Sequence, residues 1–450
     1  MYKSKIISEL FRPVSAIYLG VFRLIFGLVM MFQFQSHFIR VQDYDQEGVT
    51  RFLYPGLDFI PVANADTFQI LLWLGIIGAF CLCAGLLFRW STTLVFIIFS
   101  YIQLQDALHY NNHYYFFSLV CLLLIFTQAD QRCSIKSYLN KNRANQRVLF
   151  MDYFILQVMV FIVYFYGGLA KLNTDWLSGA VTKFMWSDIE ESTALAIAWS
   201  GMLFDLLIGI LLFIKKTRWP AIILAILFHL TNGLLFFGDI HLFPWAMIAA
   251  TLLFVDPDWW DRFKFQKGKG KKSVRKNSKT NSNSKSKGKK SLDSGSAPIK
   301  TPGRWVVITL SVFFVFQFIF PLRHYLIPGN VDWTGQGHYM AWRMKSYHKT
   351  VSLNFSTYDQ SGRLVKDYQN LGLSQEAVNR IGAFPHLVLQ LAKEVNRQLT
   401  DGDSSPPRLQ VDYLVGFNGR PRQAALDNEA NIGTIAFSPF GENGWIRPLE

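Results

Sequence analysis

The sequence predicts a mainly α, polytopic transmembrane helical bundle of about nine spans, with a small C-terminal α+β domain outside the membrane. Three observations predict it. Apolar residues make up 51% of the chain and aromatics 16%, whereas charged residues reach only 17%, below the roughly 25% usual for soluble domains. Apolar runs close to the roughly 20 residues that a bilayer requires recur along the chain. Beyond about residue 328 the pattern changes to the alternation and turn signals of strands.

Runs at 14–35, 68–88, 150–170, 196–214, 219–237 and 304–322 are long enough to span, and shorter ones at 91–104, 114–127 and 242–255 complete the set. The first lacks a small-residue cleavage site and carries Arg23, so it is expected to be a retained anchor. Lys and Arg fix the orientation. Lys3, Lys5 and Arg12 precede the first span, Arg89 follows the second, Arg132, Lys136, Lys141, Arg143 and Arg147 follow the fourth, and Lys215, Lys216 and Arg218 follow the sixth. Even-numbered connections are therefore expected to be cytoplasmic. Residues 1–260 form the transmembrane domain in this scheme, 261–303 a disordered basic cytoplasmic loop and 304–327 the last span. Residues 328–450 form an extracytoplasmic α+β domain. The Lys, Ser, Gly and Asn tract from Lys264 to Lys300 cannot bury a core. Without aromatic interleaving it suits anionic lipid or topology better than nucleic acid, and no nucleic-acid partner is expected. In the outer domain, Thr350–Tyr358 and Arg408–Phe417 read as strands, Asp359–Gly362 as a turn, Ser374–Leu399 as a helix, and Asn418-Gly419 as a hairpin signal. Cys81, Cys83, Cys121 and Cys133 lie in spans or on the cytoplasmic side, so no disulfide framework is implied.

With topology fixed, ionisable residues can be placed by depth. Asp106, His109, Asn111, Asn112 and His113 join spans three and four, Lys171 ends span five, His229 and Asn232 lie in the outer half of span seven, and Asp239 and His241 follow. Ionisable groups at membrane depth are costly unless paired or wet, so four segments converging at one depth predict a cavity on the outer side. Lys171 alone also fits an anchor that snorkels to the headgroups. Asp106, His109 and His113 have metal-like spacing, but only one such histidine pair is present, and no metal is expected. Haem ligation by His113 and His229, or histidines merely satisfied in the core, are further readings. A lysine base beside neutral histidines and asparagine amides fits proton abstraction from a small oxygen-bearing organic molecule.

The stretch Phe161–Trp176, FIVYFYGGLAKLNTDW, resembles the catalytic segment of the vitamin K-dependent γ-glutamyl carboxylase family, and Asn111-Asn112-His113-Tyr114-Tyr115 resembles its N-N-H motif. Similar order runs through Phe22-Arg23 with Phe26-Gly27, Phe204-Asp205-Leu206, Phe228-His229 with Asn232, and from Asp332-Trp333-Thr334 to Ser438-Pro439-Phe440. The resemblance implies an enzyme that oxidises vitamin K hydroquinone, a reduced menaquinone or phylloquinone, with O2 to the epoxide. The strong base made on the way removes a glutamyl γ-proton, and CO2 then adds. A protein or peptide glutamate is thus the implied partner, with the lipid bilayer. By motif, Lys171 is the amine that deprotonates the quinol, Asn112, His113, His229 and Asn232 hold it, and Trp342, Tyr347 and His348 fall in the peptide-binding segment. Two departures stand out. Ala170 occupies the place of a second lysine, and Phe59 and the Ala392 neighbourhood stand where the animal enzyme has its disulfide. The run Tyr347-His348-Lys349 also replaces a differently arranged segment, so quinol oxidation is better supported than carboxylation. The short, cysteine-poor form implies a bacterial-type homologue. The alternatives are a quinol epoxidase with weak or no carboxylation, or a non-enzymatic membrane carrier.

Overall fold

The computed structural model describes residues 2–45, 51–139, 147–236, 240–262, 301–359, 361–400, 408–427 and 435–450. Most of the basic tract expected at 261–303 falls outside the described residues, as do Asp239, Lys141 and Arg143.

Every expected apolar run forms a helix: α1 (Ile17–Ser36), α2 (Ala65–Ala84), α3 (Phe88–Leu104), α4 (Asn112–Ile125), α5 (Phe150–Leu169), α6 (Glu191–Phe213), α7 (Arg218–Thr231), α8 (Phe243–Thr251) and α9 (Arg304–Ile319). By length and composition six of them, α1, α2, α5, α6, α7 and α9 with their helical extensions, can cross a membrane. The other three are shorter. Of the nine expected spans, six correspond among the described residues to helices long and apolar enough to cross a membrane, and three to shorter apolar helices. The 14 residues of α4 rise about 21 Å, against a hydrocarbon core of about 30 Å. Asp106 explains the shortness: its carboxylate accepts from Leu108 N at 3.0 Å and caps a single 3-10 turn, Ala107–His109, that occupies the outer depth.

Helix α5 is the centre of the bundle, with 72% of its apolar window buried, against 17% for α9. Its approach to α6 depends on Gly168, because a Cβ there would lie 2.6 Å from Leu206 N. Gly168→Leu is expected to force the two helices apart at a cost of about 1–3 kcal/mol. Thermal melts in detergent measure this, and a melt equal to wild type would show that the seam has room.

On the opposite face, Arg132 pairs with Asp261 at 3.1 Å and Arg147 with Asp258 at 2.8 Å, while Ser15 N donates to Asp258. A short antiparallel ladder, Pro13–Ser15 against Arg147–Leu149, adds to this clasp. The N-terminal segment and the connections after α4 and α8 therefore share one side, as the charge pattern predicts.

The C-terminal domain is a four-stranded antiparallel sheet, order β2-β1-β3-β4, from β1 (Lys349–Tyr358), β2 (Leu364–Gln369), β3 (Arg408–Phe417) and β4 (Gln423–Ala424). Strands β1 and β3 pair along ten residues, from Lys349↔Phe417 to Tyr358↔Arg408. Two helices, α10 (Gln375–Gly382) and α11 (Pro385–Thr400), pack on the sheet over Val351, Leu353, Val378, Ile381, Leu387 and Val388. They replace the single helix expected at Ser374–Leu399, because Pro385 supplies no N–H to a continuing helix and instead starts the next one. Asn418 and Gly419, at φ 50° and 85°, make the expected turn, but the returning strand has only two residues.

Candidate active site

Helices α4 to α8, at their ends nearest the C-terminal domain, enclose a cavity of about 880 Å³ together with residues 338 and 343–345 of that domain. Its polar end begins at the C-terminus of α5. There the chain tightens, with Lys171 N bonded to Gly168 O at 3.0 Å, and the side chain folds back. Lys171 Nζ donates to Asp205 Oδ2 of α6 at 2.7 Å, to Gly167 O at 3.1 Å and to Met344 O at 3.5 Å. The amine also sits 5.2 Å from the Trp176 ring centroid. The residues after it hold this geometry. Asn173 caps a short helix, Thr174–Leu177, by accepting from Trp176 N, and Trp176 Nε1 donates to Ala198 O of α6 at 2.8 Å. Asp175 takes two hydrogen bonds from Arg420 and one from Asn418, which hold its carboxyl below the usual range and tie the outer domain to α5.

Across the cavity, the Phe243 ring of α8 lies between two histidines. His113 stacks on it at 5.6 Å, and His229 meets it edge-on at 6.0 Å. His229 Nε2 is hydrogen-bonded to the Tyr164 hydroxyl of α5 at 2.6 Å, which fixes the ring's orientation. Asn232 opens a π-helical turn, Asn232–Phe236, at the end of α7 and faces the same space. Asn112 bridges the domains, accepting from the Tyr110 hydroxyl and donating to Arg343 O at 3.2 Å.

The structure thus brings Asn112, His113, Lys171, His229 and Asn232 to one wall-lined space. It does not bring Trp342, Tyr347 and His348 there. Trp342 is fully buried against Tyr115, Tyr347 stacks on Phe417, and His348 rests beside Phe184. The residues of this segment that line the cavity are Arg343, Met344 and Lys345. Backbone geometry explains the inversion: Met340, Trp342 and Lys345 all have left-handed φ, 57°, 58° and 51°. Non-glycine residues pay about 1–3 kcal/mol for such conformations, and they concentrate at functional sites. His338, also on the cavity wall, is kept neutral because burial pushes its pKa down to about 3. Among the described residues no three His, Cys, Asp or Glu side chains are placed to hold a metal. Asp106 instead pairs with His109 at 3.0 Å.

The rest of the cavity is apolar. Leu203 and Leu207 of α6 and Leu224 and Leu227 of α7 line it and are 46, 47, 49 and 56% exposed. Sequence reasoning left Asp205 and Tyr164 without roles. Asp205 carried a usable signal, as a lone carboxylate inside an apolar run.

The family model for the HTTM domain matches residues 11–259, and that for the lumenal domain of vitamin K-dependent gamma-carboxylase matches residues 302–450. No solved structure matches the chain.

Proposed function

The chain belongs to the vitamin K-dependent gamma-carboxylase family, and from that premise we propose that it oxidises vitamin K hydroquinone with O2 and uses the reaction to carboxylate glutamate in a protein substrate. One observation carries the reading: a buried lysine, two histidines and two asparagine amides line one largely apolar chamber. The volume of about 880 Å³ lies within the range of roughly 300–1,000 Å³ usual for small-molecule sites. Its donor set suits a quinol, with hydroxyl groups at the polar end and a hydrocarbon tail between α6 and α7.

A glutamyl γ-proton is too weakly acidic for any side chain, so the oxidised cofactor supplies the strong base. The protein's own residues do the rest. Lys171 takes the proton of a quinol hydroxyl, His113 and His229 orient the ring from the far side, and Asn112 holds the segment 338–345 over the chamber. The Leu walls exclude water, which would otherwise quench a strong base. The C-terminal domain, on the extracytoplasmic or lumenal face, presents the glutamyl substrate, with Arg343 and Lys345 as the cations nearest the chamber. Trp342, Tyr347 and His348 then act by shaping this strained segment.

The test uses membranes supplied with reduced vitamin K, O2, a Glu-containing peptide and labelled bicarbonate, with epoxide and fixed label scored separately. Both products are expected. Epoxide without label would select the narrower reading, quinol oxygenation alone, which the burial of Trp342 favours. Neither product would leave a membrane carrier.

Variants separate the two regions. His113→Ala or His229→Ala is expected to lower epoxidation by about 100-fold whatever the peptide. Lys345→Ala is expected to raise the peptide KM by about 10-fold and leave quinol oxidation within about 3-fold of wild type. Equal loss of both activities from all three variants would show one inseparable site.

A further inference from the structure

We propose that Asp205 is the positioning residue for Lys171, holding its amine against the chamber and accepting its surplus proton; the assignment rests on the quinol-oxidising reading above. The two side chains meet at 2.7 Å, both buried, and both line the cavity. Among the described residues, Lys171 is the only group hydrogen-bonded to the Asp205 carboxylate. A carboxylate in an apolar helix is expensive unless paired, and a pair serving packing alone has no need to sit on a cavity wall. Gly167 contributes to the placement through its carbonyl, which takes a second N–H of the amine at 3.1 Å.

The hydrogen-bond inventory shows why a lysine placed this way needs the carboxylate. As an ammonium, Lys171 has three N–H donors, and three acceptors surround it: Asp205 Oδ2, Gly167 O and Met344 O. In that form it has no lone pair and cannot be a base. Transfer of one proton along the 2.7 Å bond to Oδ2 leaves a neutral amine with a lone pair beside a neutral carboxylic acid. A quinol O–H bond then breaks, its proton forms the third N–H bond on Nζ, and the electron pair stays on the quinol oxygen. The products are quinolate, ammonium and carboxylic acid, whose charges sum to zero as those of the reactants do. No oxidant takes part in this step. The pair therefore starts neutral and ends with one positive charge facing the new anion.

The experiment is a double-mutant cycle with Asp205→Asn, Lys171→Ala and the double variant, with Asp205→Glu alongside, in full-length protein in membranes. D205N is expected to lower kcat for quinol oxidation by about 100-fold, the scale of a misplaced catalytic group, with the quinol KM within about 3-fold. D205E is expected to recover most of that loss. In the Lys171→Ala background D205N is expected to cost nothing further, because Asp205 acts only through the lysine. The same factor lost in both backgrounds would overturn the proposal. A second readout does not depend on turnover: the rate at which a small apolar acylating reagent labels Lys171, followed by peptide mass spectrometry. It is expected to fall about 10-fold in D205N, where no carboxylate takes the surplus proton and the ammonium keeps no lone pair to acylate. Equal labelling in wild type and D205N overturns the assignment whatever the activity. Absence of quinol oxidation in the wild type overturns the functional reading instead, and labelling then decides the pair.

Discussion

Replacing Lys171 by Ala is expected to reduce quinol oxidation by at least about 1,000-fold, because no other amine reaches the polar end of the chamber among the described residues except Lys345, which approaches from the outer domain. Carboxylation falls with it, since the strong base is made only when the quinol is oxidised. The variant is expected to remain folded. Asp205 loses its partner, but the space the lysine side chain vacates beside it can take water. Small primary amines are expected to restore part of the activity by occupying the space the side chain leaves. The measurement is epoxide formed per mole of folded protein, with and without added amine. Wild-type turnover in Lys171→Ala would reduce the residue to a snorkelling anchor and remove the centre of the proposed mechanism.

Arg23→Met is expected to have the largest effect on stability. This arginine is fully buried, and its guanidinium donates to four carbonyls: Leu82 and Cys83 at the end of α2, and Ala129 and Cys133 after α4. Two of these are helix C-terminal carbonyls with no partner inside the helix. An apolar side chain of similar length would strand three of them, Leu82 O alone keeping a donor, Gly85 N at 3.1 Å. At about 1–3 kcal/mol for each buried acceptor left unsatisfied, the sum exceeds the margin of most domains. Size-exclusion profiles of detergent extracts are expected to show little monodisperse Arg23→Met protein. Arg23→Lys is expected to recover only part of it, because one ammonium cannot span the fan of acceptors that a planar guanidinium does. A normal profile and melting temperature for Arg23→Met would mean that water replaces the missing donors.

Much of this was legible in the sequence, for definable reasons. The nine apolar helices follow from run length, because a bilayer imposes a minimum span that composition reveals directly. Lys171, His113 and His229 were legible because ionisable side chains stand out against hydrocarbon. Asp205 was visible by the same rule inside the run that became α6, but its partner lies 34 positions away, and no local pattern links α6 to the end of α5. Tyr164 was hidden among the aromatics of α5, where only its contact with His229 sets it apart. The segment around Trp342 reaches the chamber, yet the residues that face it are Arg343, Met344 and Lys345. Left-handed backbone at Met340, Trp342 and Lys345 turns the segment over, and nothing in those residue types announces it. The break between α10 and α11 is legible at Pro385, which supplies no N–H to a continuing helix.

If the exposed leucines of α6 and α7 mark a quinol's entrance, as the proposed function implies, concentration takes on another meaning for this protein. A quinol drawn through that entrance comes from the plane of the membrane, so the quantity that sets occupancy is its mole fraction in lipid rather than its molarity in the buffer. Diluting the protein into more lipid or detergent at constant total quinol is then equivalent to starving it. Kinetic constants become comparable between preparations only when expressed against the amphiphile present. In a cell, every other quinone-using protein in the same bilayer draws on the same two-dimensional pool, and the redox state of that pool sets the pace.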